Sequence, residues 1–227
     1  MIPTTDLSPK AIQTRQHIYD TAITLFKEQG YDATTMRDIA TSADVSIGLA
    51  YRYFARKEDI VMRLYLDHID VLVAYMATVP TGQLADRYLT VLQHTLKELG
   101  DYRFALMALF GAAMHPDSGL PLMGIDNNPV SRQLTEAYHQ LILSSEDALR
   151  DPKAIQLSVS LYTFHMMILI FWLYDRSPEQ QATHRLVNFV HELFKILRPM
   201  FILPMVPQAI AKLSHIIMPT LESSKDA

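Results

Sequence analysis

Residues 34–60 read TTMRDIATSADVSIGLAYRYFARKEDI, and the reading of this stretch decides the fold. Thr35 and Asp38 stand in the Ser/Thr-x-x-Asp/Glu arrangement of a capping box, which predicts a helix start. Ile39, Ala40 and Ala43 give that helix an apolar side, and Asp44 and Val45 supply a turn. Ser46 is a candidate cap for a second helix, whose buried face is Ala50 and Phe54. Ile47, Gly48, Leu49, Tyr51, Arg52 and Tyr53 remain for its other faces. A glycine inside a helix costs ~1 kcal/mol against alanine. Gly48 therefore needs a reason, and close approach of another backbone or of a sugar–phosphate chain is one. Two short helices across a tight turn form the helix-turn-helix layout, whose second helix enters the major groove of duplex DNA. Tyr51 and Tyr53 carry hydroxyls that donate to phosphate oxygens. Lys57 opens a further helix, where free backbone N–H groups also favour phosphate.

Upstream, Ser8-Pro9 is a start signal, with Ser as cap and Pro at the first helical position. Ile18, Ala22, Leu25 and Phe26 follow at helical spacing, and Gly30 suits the residue just past a helix end. Residues 10–54 thus read as a three-helix unit.

From Gly30-Tyr31 through Thr34-Thr35, Ile39-Ala40, Ala43, Val45-Ser46, Gly48, Tyr51, Tyr53-Phe54 and Lys57-Glu58-Asp59, the chain resembles the amino-terminal domain of the TetR (tetracycline-repressor) family. The resemblance covers about residues 10–65. It implies an all-helical homodimer whose larger carboxy-terminal domain binds a small molecule and releases DNA. Carried over by position, Thr35 and Arg37 touch the DNA backbone at the start of the second helix. Ser46 opens the reading helix, Ile47, Gly48, Leu49 and Arg52 lie near bases, and Tyr51, Tyr53 and Lys57 hold phosphates. The Leu49 position is often Thr in the family. Leucine offers a thymine methyl an apolar contact where Thr would offer a hydrogen bond, which changes the operator sequence expected. A competing reading keeps the same shape as plain core, with Tyr51 and Tyr53 half-buried. A short helix with two aromatics and an arginine off its buried face has little core to place them in.

The expected fold class is all-α. The boundaries read as a tail at 1–9, a helix-turn-helix domain at 10–56, a helical effector-binding and dimerisation domain at 57–220, and a tail at 221–227. Charge adds little. Residues 10–65 hold eight Lys/Arg and seven acids, a balance of +1, so the rest carries −5 of the total −4. Basic groups must be segregated onto one face to attract DNA. The absence of cysteine excludes disulfides and thiolate metal sites. The start MIPTTDLSPK lacks the apolar run of a secretory leader, so a cytoplasmic location is expected.

Residues 155–174, IQLSVSLYTFHMMILIFWLY, carry no charge over twenty positions, long enough to span a bilayer. Gln156, Ser158, Ser160, Thr163 and His165 interrupt the run, and a helix buried on several sides of a soluble core fits better. Other helices are marked by Ile60, Leu64, Ile69 and Val73, by Leu84 to Thr95, by Phe104 to Met114, by Val130 to about Leu149, and by Leu186 to Leu197. Asp151-Pro152 and the box Ser177-Pro178-Glu179-Gln180 mark two starts. Residues 115–129, dense in Pro, Gly, Asp and Asn, read as a long functional or disordered loop. A last short helix is expected around Ile210 to Ile217.

Three apolar stripes run along 152–175: Ile155, Val159, Tyr162, Met166, Leu169 and Leu173; Leu161, Ile168 and Trp172; and Phe164, Met167 and Phe171. One monomer covers them with difficulty. A homodimer through helices 152–175 and 178–197 is expected, in keeping with the family resemblance. Phe104, Met107, Phe110, Met114, Tyr138, Tyr162, His165, Met166, Phe171 and Trp172 are candidates for a mostly apolar effector pocket, since Met and aromatic side chains adapt to irregular hydrophobic ligands. Nine scattered histidines form no metal-ligand spacing, and no HExxH, GxSxG or GxxxxGK occurs. Neither cofactor nor enzyme activity is expected. The reading is a DNA-binding regulator, most simply a repressor released from a palindromic operator by a small hydrophobic effector. A ligand-independent DNA binder and a soluble helical enzyme are the alternatives.

Overall fold

The computed structural model describes residues 8–113 and 129–197, and among these residues it is helical without strands. In chain order come α1 (Pro9–Glu28), α2 (Met36–Ser42), α3 (Ile47–Tyr53), α4 (Lys57–Thr78), α5 (Leu84–Glu98), α6 (Arg103–Ala113), α7 (Pro129–Leu143), α8 (Lys153–Tyr174) and α9 (Gln181–Leu197). Met114, all but the last residue of the expected 115–129 loop, the expected helix near 210–217 and the 221–227 tail lie outside the described residues.

The chain forms two compact units, one of residues up to Asp67 plus Gly100–Ala112, the other of His68–Leu99 plus the chain from Ala113 onward. This differs from the division at 56/57 read from the sequence. The first half of α4 stays with the amino-terminal helices, and α6 joins them. Packing gives the reason. Tyr65 of α4 meets Phe110 of α6 edge-on at 5.5 Å. The turn before α6 is tied to α1, where Lys27 lies 3.6 Å from Asp101 and 4.8 Å from the Tyr102 ring.

In the second unit, Tyr88 of α5 donates to the Leu161 carbonyl of α8 at 3.0 Å and packs against Tyr138 of α7 and Phe194 of α9. Helix α8 is long and apolar enough to cross a membrane by composition, but 61% of its most apolar window is buried inside the protein. That is the environment of a core helix.

Three helix boundaries differ from expectation. Helix α7 ends at Leu143, not near Leu149. The Ser144 and Ser145 hydroxyls donate back to the carbonyls of Gln140 and Leu141 at 2.7 Å each. This side-chain competition for backbone acceptors favours an ending. The box at Ser177 does not form. Residues 178–180 make a short 3-10 turn with Glu179 at φ 50°, and α9 starts at Gln181. Two side chains cap α9: Ser177 Oγ accepts from Ala182 N at 2.9 Å, and Asp175 accepts from Ser177 N, Thr183 N and the Thr183 hydroxyl at 2.8, 2.8 and 2.7 Å. Burial pushes the Asp175 carboxyl up, but these donors outweigh it and leave it well below the usual carboxylate range. Pro152 occupies the cap position of α8 without a side-chain cap bond.

Candidate nucleic-acid interface and interior sites

Helix α2 starts as read. Thr35 Oγ1 accepts from Asp38 N at 3.2 Å, and Asp38 accepts from Thr35 N at 2.8 Å. Hydrogen bonds from Thr35 hold the Asp38 carboxyl below its ordinary value. The turn closes through Asp44, at φ 50°, and Val45 N, which donates to Ala40 O at 3.0 Å. Ser46 caps α3 by accepting from Leu49 N at 3.2 Å.

Ala50 and Phe54 are fully buried, and the Arg15 guanidinium covers the Phe54 ring at 5.1 Å. On the opposite side Ile47, Gly48, Tyr51 and Arg52 are exposed, with Ile47 at 42% and Tyr51 at 51%, and Leu49 half-buried. Thr35 and Arg37 are exposed at the start of α2. Nothing lies within 4 Å of the position a Cβ on Gly48 would take. The packing of the described residues therefore gives no reason for that glycine.

Two residues depart from the expected outward-facing set. Tyr53 is 7% exposed, so its ring belongs to the core with Phe54. In a seven-residue helix, positions three and four apart share a face, and Tyr53 follows Ala50 by three. Lys57 is half-buried and its Nζ donates to the carbonyls of Tyr31 and Thr34, both at 2.7 Å, beneath the Tyr31 ring at 4.2 Å. Its ammonium fastens the link between α1 and α2 to α4. Tyr31 completes the clasp by donating to Glu58 at 2.9 Å, and Thr34 donates to Gly30 O at 2.8 Å. The sequence offered no sign of this clasp, because its partners lie more than twenty residues apart.

The effector candidates fall into three groups. Tyr138, Tyr162, His165, Met166 and Trp172 are interior residues of the second unit, each 3% exposed or less. Tyr138 Oη and His165 Nδ1 are hydrogen-bonded at 2.6 Å, and Trp172 Nε1 donates to Gln180 at 2.8 Å. Phe110 is buried and Met107 half-buried in the first unit. Phe104 and Phe171 are exposed, at 66% and 43%, contrary to a place inside a pocket. Met114 lies outside the described residues. A groove of about 300 Å³ opens elsewhere, between α4, α5 and α7, and none of the ten candidates lines it. No group of three or more potential metal ligands occurs among the described residues.

With this geometry in hand, residues 18–64 match the family described as bacterial regulatory proteins, tetR family. The chain is 45% identical over 73 residues to the HTH-type transcriptional regulator HbdR of Aromatoleum sp. (strain CIB), covering 32% of this chain and 31% of that protein. It is 31% identical over 122 residues to the HTH-type transcriptional repressor KstR2 of Mycolicibacterium smegmatis (strain ATCC 700084 / mc(2)155), covering 53% of this chain and 58% of that one. The chain thus spans from about a third to somewhat over half the length of these curated relatives. A TetR-family regulator from Syntrophomonas wolfei str. Goettingen matches in structure with a TM-score of 0.53 at 20% identity, over 82% of this chain and 95% of that one. Thermus thermophilus FadR, a TetR-family repressor solved with lauroyl-CoA, gives 0.52 at 18% identity, over 77% and 93%. These two likenesses concern the fold. Residues 18–64 thus form a domain that matches the tetR family of bacterial regulatory proteins.

Proposed function

We propose that the chain is a sequence-specific DNA-binding transcriptional regulator, a repressor that leaves a palindromic operator when a small effector binds its second unit. The observation that carries this reading is α3. Its inner face is locked by Ala50, Tyr53 and Phe54, while Ile47, Gly48, Tyr51 and Arg52 are exposed, and Gly48 leaves room that no described residue uses. A surface with an apolar contact, a hydroxyl, a guanidinium and a bare backbone suits base edges and phosphates together.

The regulator works as a C2 homodimer in the cytoplasm. Support comes from apolar side chains that are exposed among the described residues: Ile155, Met167, Phe171 and Tyr174 on α8, and Phe189 and Ile196 on α9, at 43–70% exposure. The third stripe of α8 supplies part of this surface. Release requires that the effector favour a dimer geometry that DNA does not. The test is a mobility shift on inverted repeats from the gene's own promoter, across salt concentrations. Arg52→Ala should cut affinity while leaving the thermal midpoint unchanged. Full-affinity binding by Arg52→Ala and Tyr51→Ala together would remove α3 from the interface. Repeating the shift with candidate effectors separates the ligand-released repressor from a ligand-independent DNA binder.

A further inference from the structure

Residues 29–35 join α1 to α2 and end in Thr35, the cap of α2. This link is folded on itself. Gly30 takes φ 90°, and the buried Thr34 hydroxyl donates to the Gly30 carbonyl at 2.8 Å while accepting from Gln29 Nε2 at 3.1 Å. Two of its carbonyls, those of Tyr31 and Thr34, accept from the Lys57 ammonium of α4 at 2.7 Å each. Thr34 immediately precedes the cap.

An ammonium has three N–H donors. Two of them are committed to carbonyls, and the Tyr31 ring lies 4.2 Å from the nitrogen. At most one donor is left for a phosphate, whereas the resemblance implies that Lys57 holds one directly. The other arm of the clasp is fixed as well. Tyr31 is 6% exposed and donates its hydroxyl to Glu58 at 2.9 Å. Burial and then the contact with Glu58 push that hydroxyl well above its ordinary value, so it stays protonated and donating. Lys57 and Glu58 are the first two residues of α4, and both arms leave the same turn. Just past the clasp, Thr35 and Arg37 are exposed at the start of α2. Every residue of this arrangement belongs to the first unit. A hydrogen bond fades steeply beyond ~3.2 Å, so a shift of about 1 Å in the link would forfeit a phosphate contact made from α2.

We propose that Lys57 serves DNA binding as a positioning residue: through the Tyr31 and Thr34 carbonyls it sets Thr35 and Arg37 against the DNA backbone, and the Tyr31–Glu58 bond steadies the turn of α4 that does so. This role rests on the proposed function, because it needs α2 to meet DNA.

The test is a double-mutant cycle on the full chain. Affinity for an inverted-repeat duplex from the gene's own promoter is read by fluorescence anisotropy at one salt concentration, well below the thermal midpoint of each variant. Arg37→Ala should weaken binding at least ~10-fold, the loss of one charge-assisted hydrogen bond. Lys57→Met, which keeps an apolar stem and loses the donors, should weaken it by a similar factor. In the Arg37→Ala background the same Lys57→Met change should cost only ~3-fold or less, because the group it places is already gone. Tyr31→Phe removes one buried hydroxyl and no charge; it should cost ~3-fold in the wild-type background and nothing measurable with Arg37→Ala. If Lys57→Met does not fold, the Tyr31→Phe cycle decides. Losses from Lys57→Met and Arg37→Ala that multiply independently would show Lys57 holding a phosphate itself and overturn the proposal. Wild-type affinity in both Lys57→Met and Tyr31→Phe would overturn it too, and either result would leave the proposed function standing. A wild-type chain that binds no inverted repeat would refute that function, and this role with it.

Discussion

Gly48 sits in the first turn of a seven-residue helix with open space where a side chain would go. No described residue packs against it, so Gly48→Ala should stabilise the folded chain by up to ~1 kcal/mol through helix propensity, read as a higher denaturant midpoint. The same variant should weaken operator binding, because a methyl would stand where DNA approaches. Unaltered binding would mean that the glycine has no close neighbour in the complex. Lys57 behaves in the reverse way. Its ammonium already serves two carbonyls, so Lys57→Ala should lower stability by about 1–2 kcal/mol whether or not it also weakens binding. A titratable pair makes a third case. Burial and then nearby His94 hold His68 down to about 4, and burial and then His68 hold His165 down to about 3. Both are neutral in the folded chain, while the unfolded chain takes up protons near pH ~6.5. Their contribution is therefore complete above that pH and lost as pH falls toward 4, by up to ~1.4 kcal/mol per pH unit for each histidine. Urea midpoints at pH 7 and pH 5 should show the loss, and His68→Asn should flatten it.

At the scale of elements, the starts of α2 and α9 show two grades of capping signal. The Thr35–Asp38 box is local, exposed and formed as read, so Thr35→Ala should cost about 1 kcal/mol by chemical denaturation. At α9, Ser177 and Gln180 suggested a box, but the turn at 178–180 moved the start to Gln181, and the free N–H groups there are capped by Ser177 at Ala182 and by Asp175 at Thr183. That carboxylate accepts three hydrogen bonds across eight residues, which no fixed four-residue motif encodes. Asp175→Ala should accordingly lower the thermal midpoint more than Ser177→Ala does. Helix α9 also carries two apolar faces. Thr183, Val187, Val190 and Phe194 are buried, while Phe189 and Ile196 are exposed at 62% and 70%. The inner face was legible from periodicity; that the other face stays uncovered was decided by the neighbours α5 and α8.

For the whole molecule, the uncovered faces of α8 and α9 predict assembly. The wild-type chain should sediment as a dimer at micromolar concentration, and Phe189→Glu with Ile196→Glu should yield a folded monomer, since both positions are exposed in the single chain. The monomer should lose most operator affinity although α3 is untouched. In the complex, the two α3 helices should lie about 34–36 Å apart, one turn of DNA, or slightly more. A monomeric wild type, or a dimer joined through residues 10–54, would refute this assembly.

The sequence by itself determined the helical class, the capping box at Thr35, the turn at Asp44 and the placement of Ala50 and Phe54 inward. These depend on neighbours within a few residues, where spacing and side-chain chemistry suffice. It also singled out Gly48, whose cost is intrinsic to the backbone. Only the tertiary structure decided the rest. Tyr53 turned inward and Lys57 was drawn to carbonyls on the α1–α2 link, 23 and 26 residues away. The expected effector side chains Tyr138, Tyr162, His165, Met166 and Trp172 became interior, and space opened instead beside Arg87. A cavity is what packing leaves unfilled. It depends on side chains from α4, α5 and α7 meeting in three dimensions, and no spacing along the chain records that.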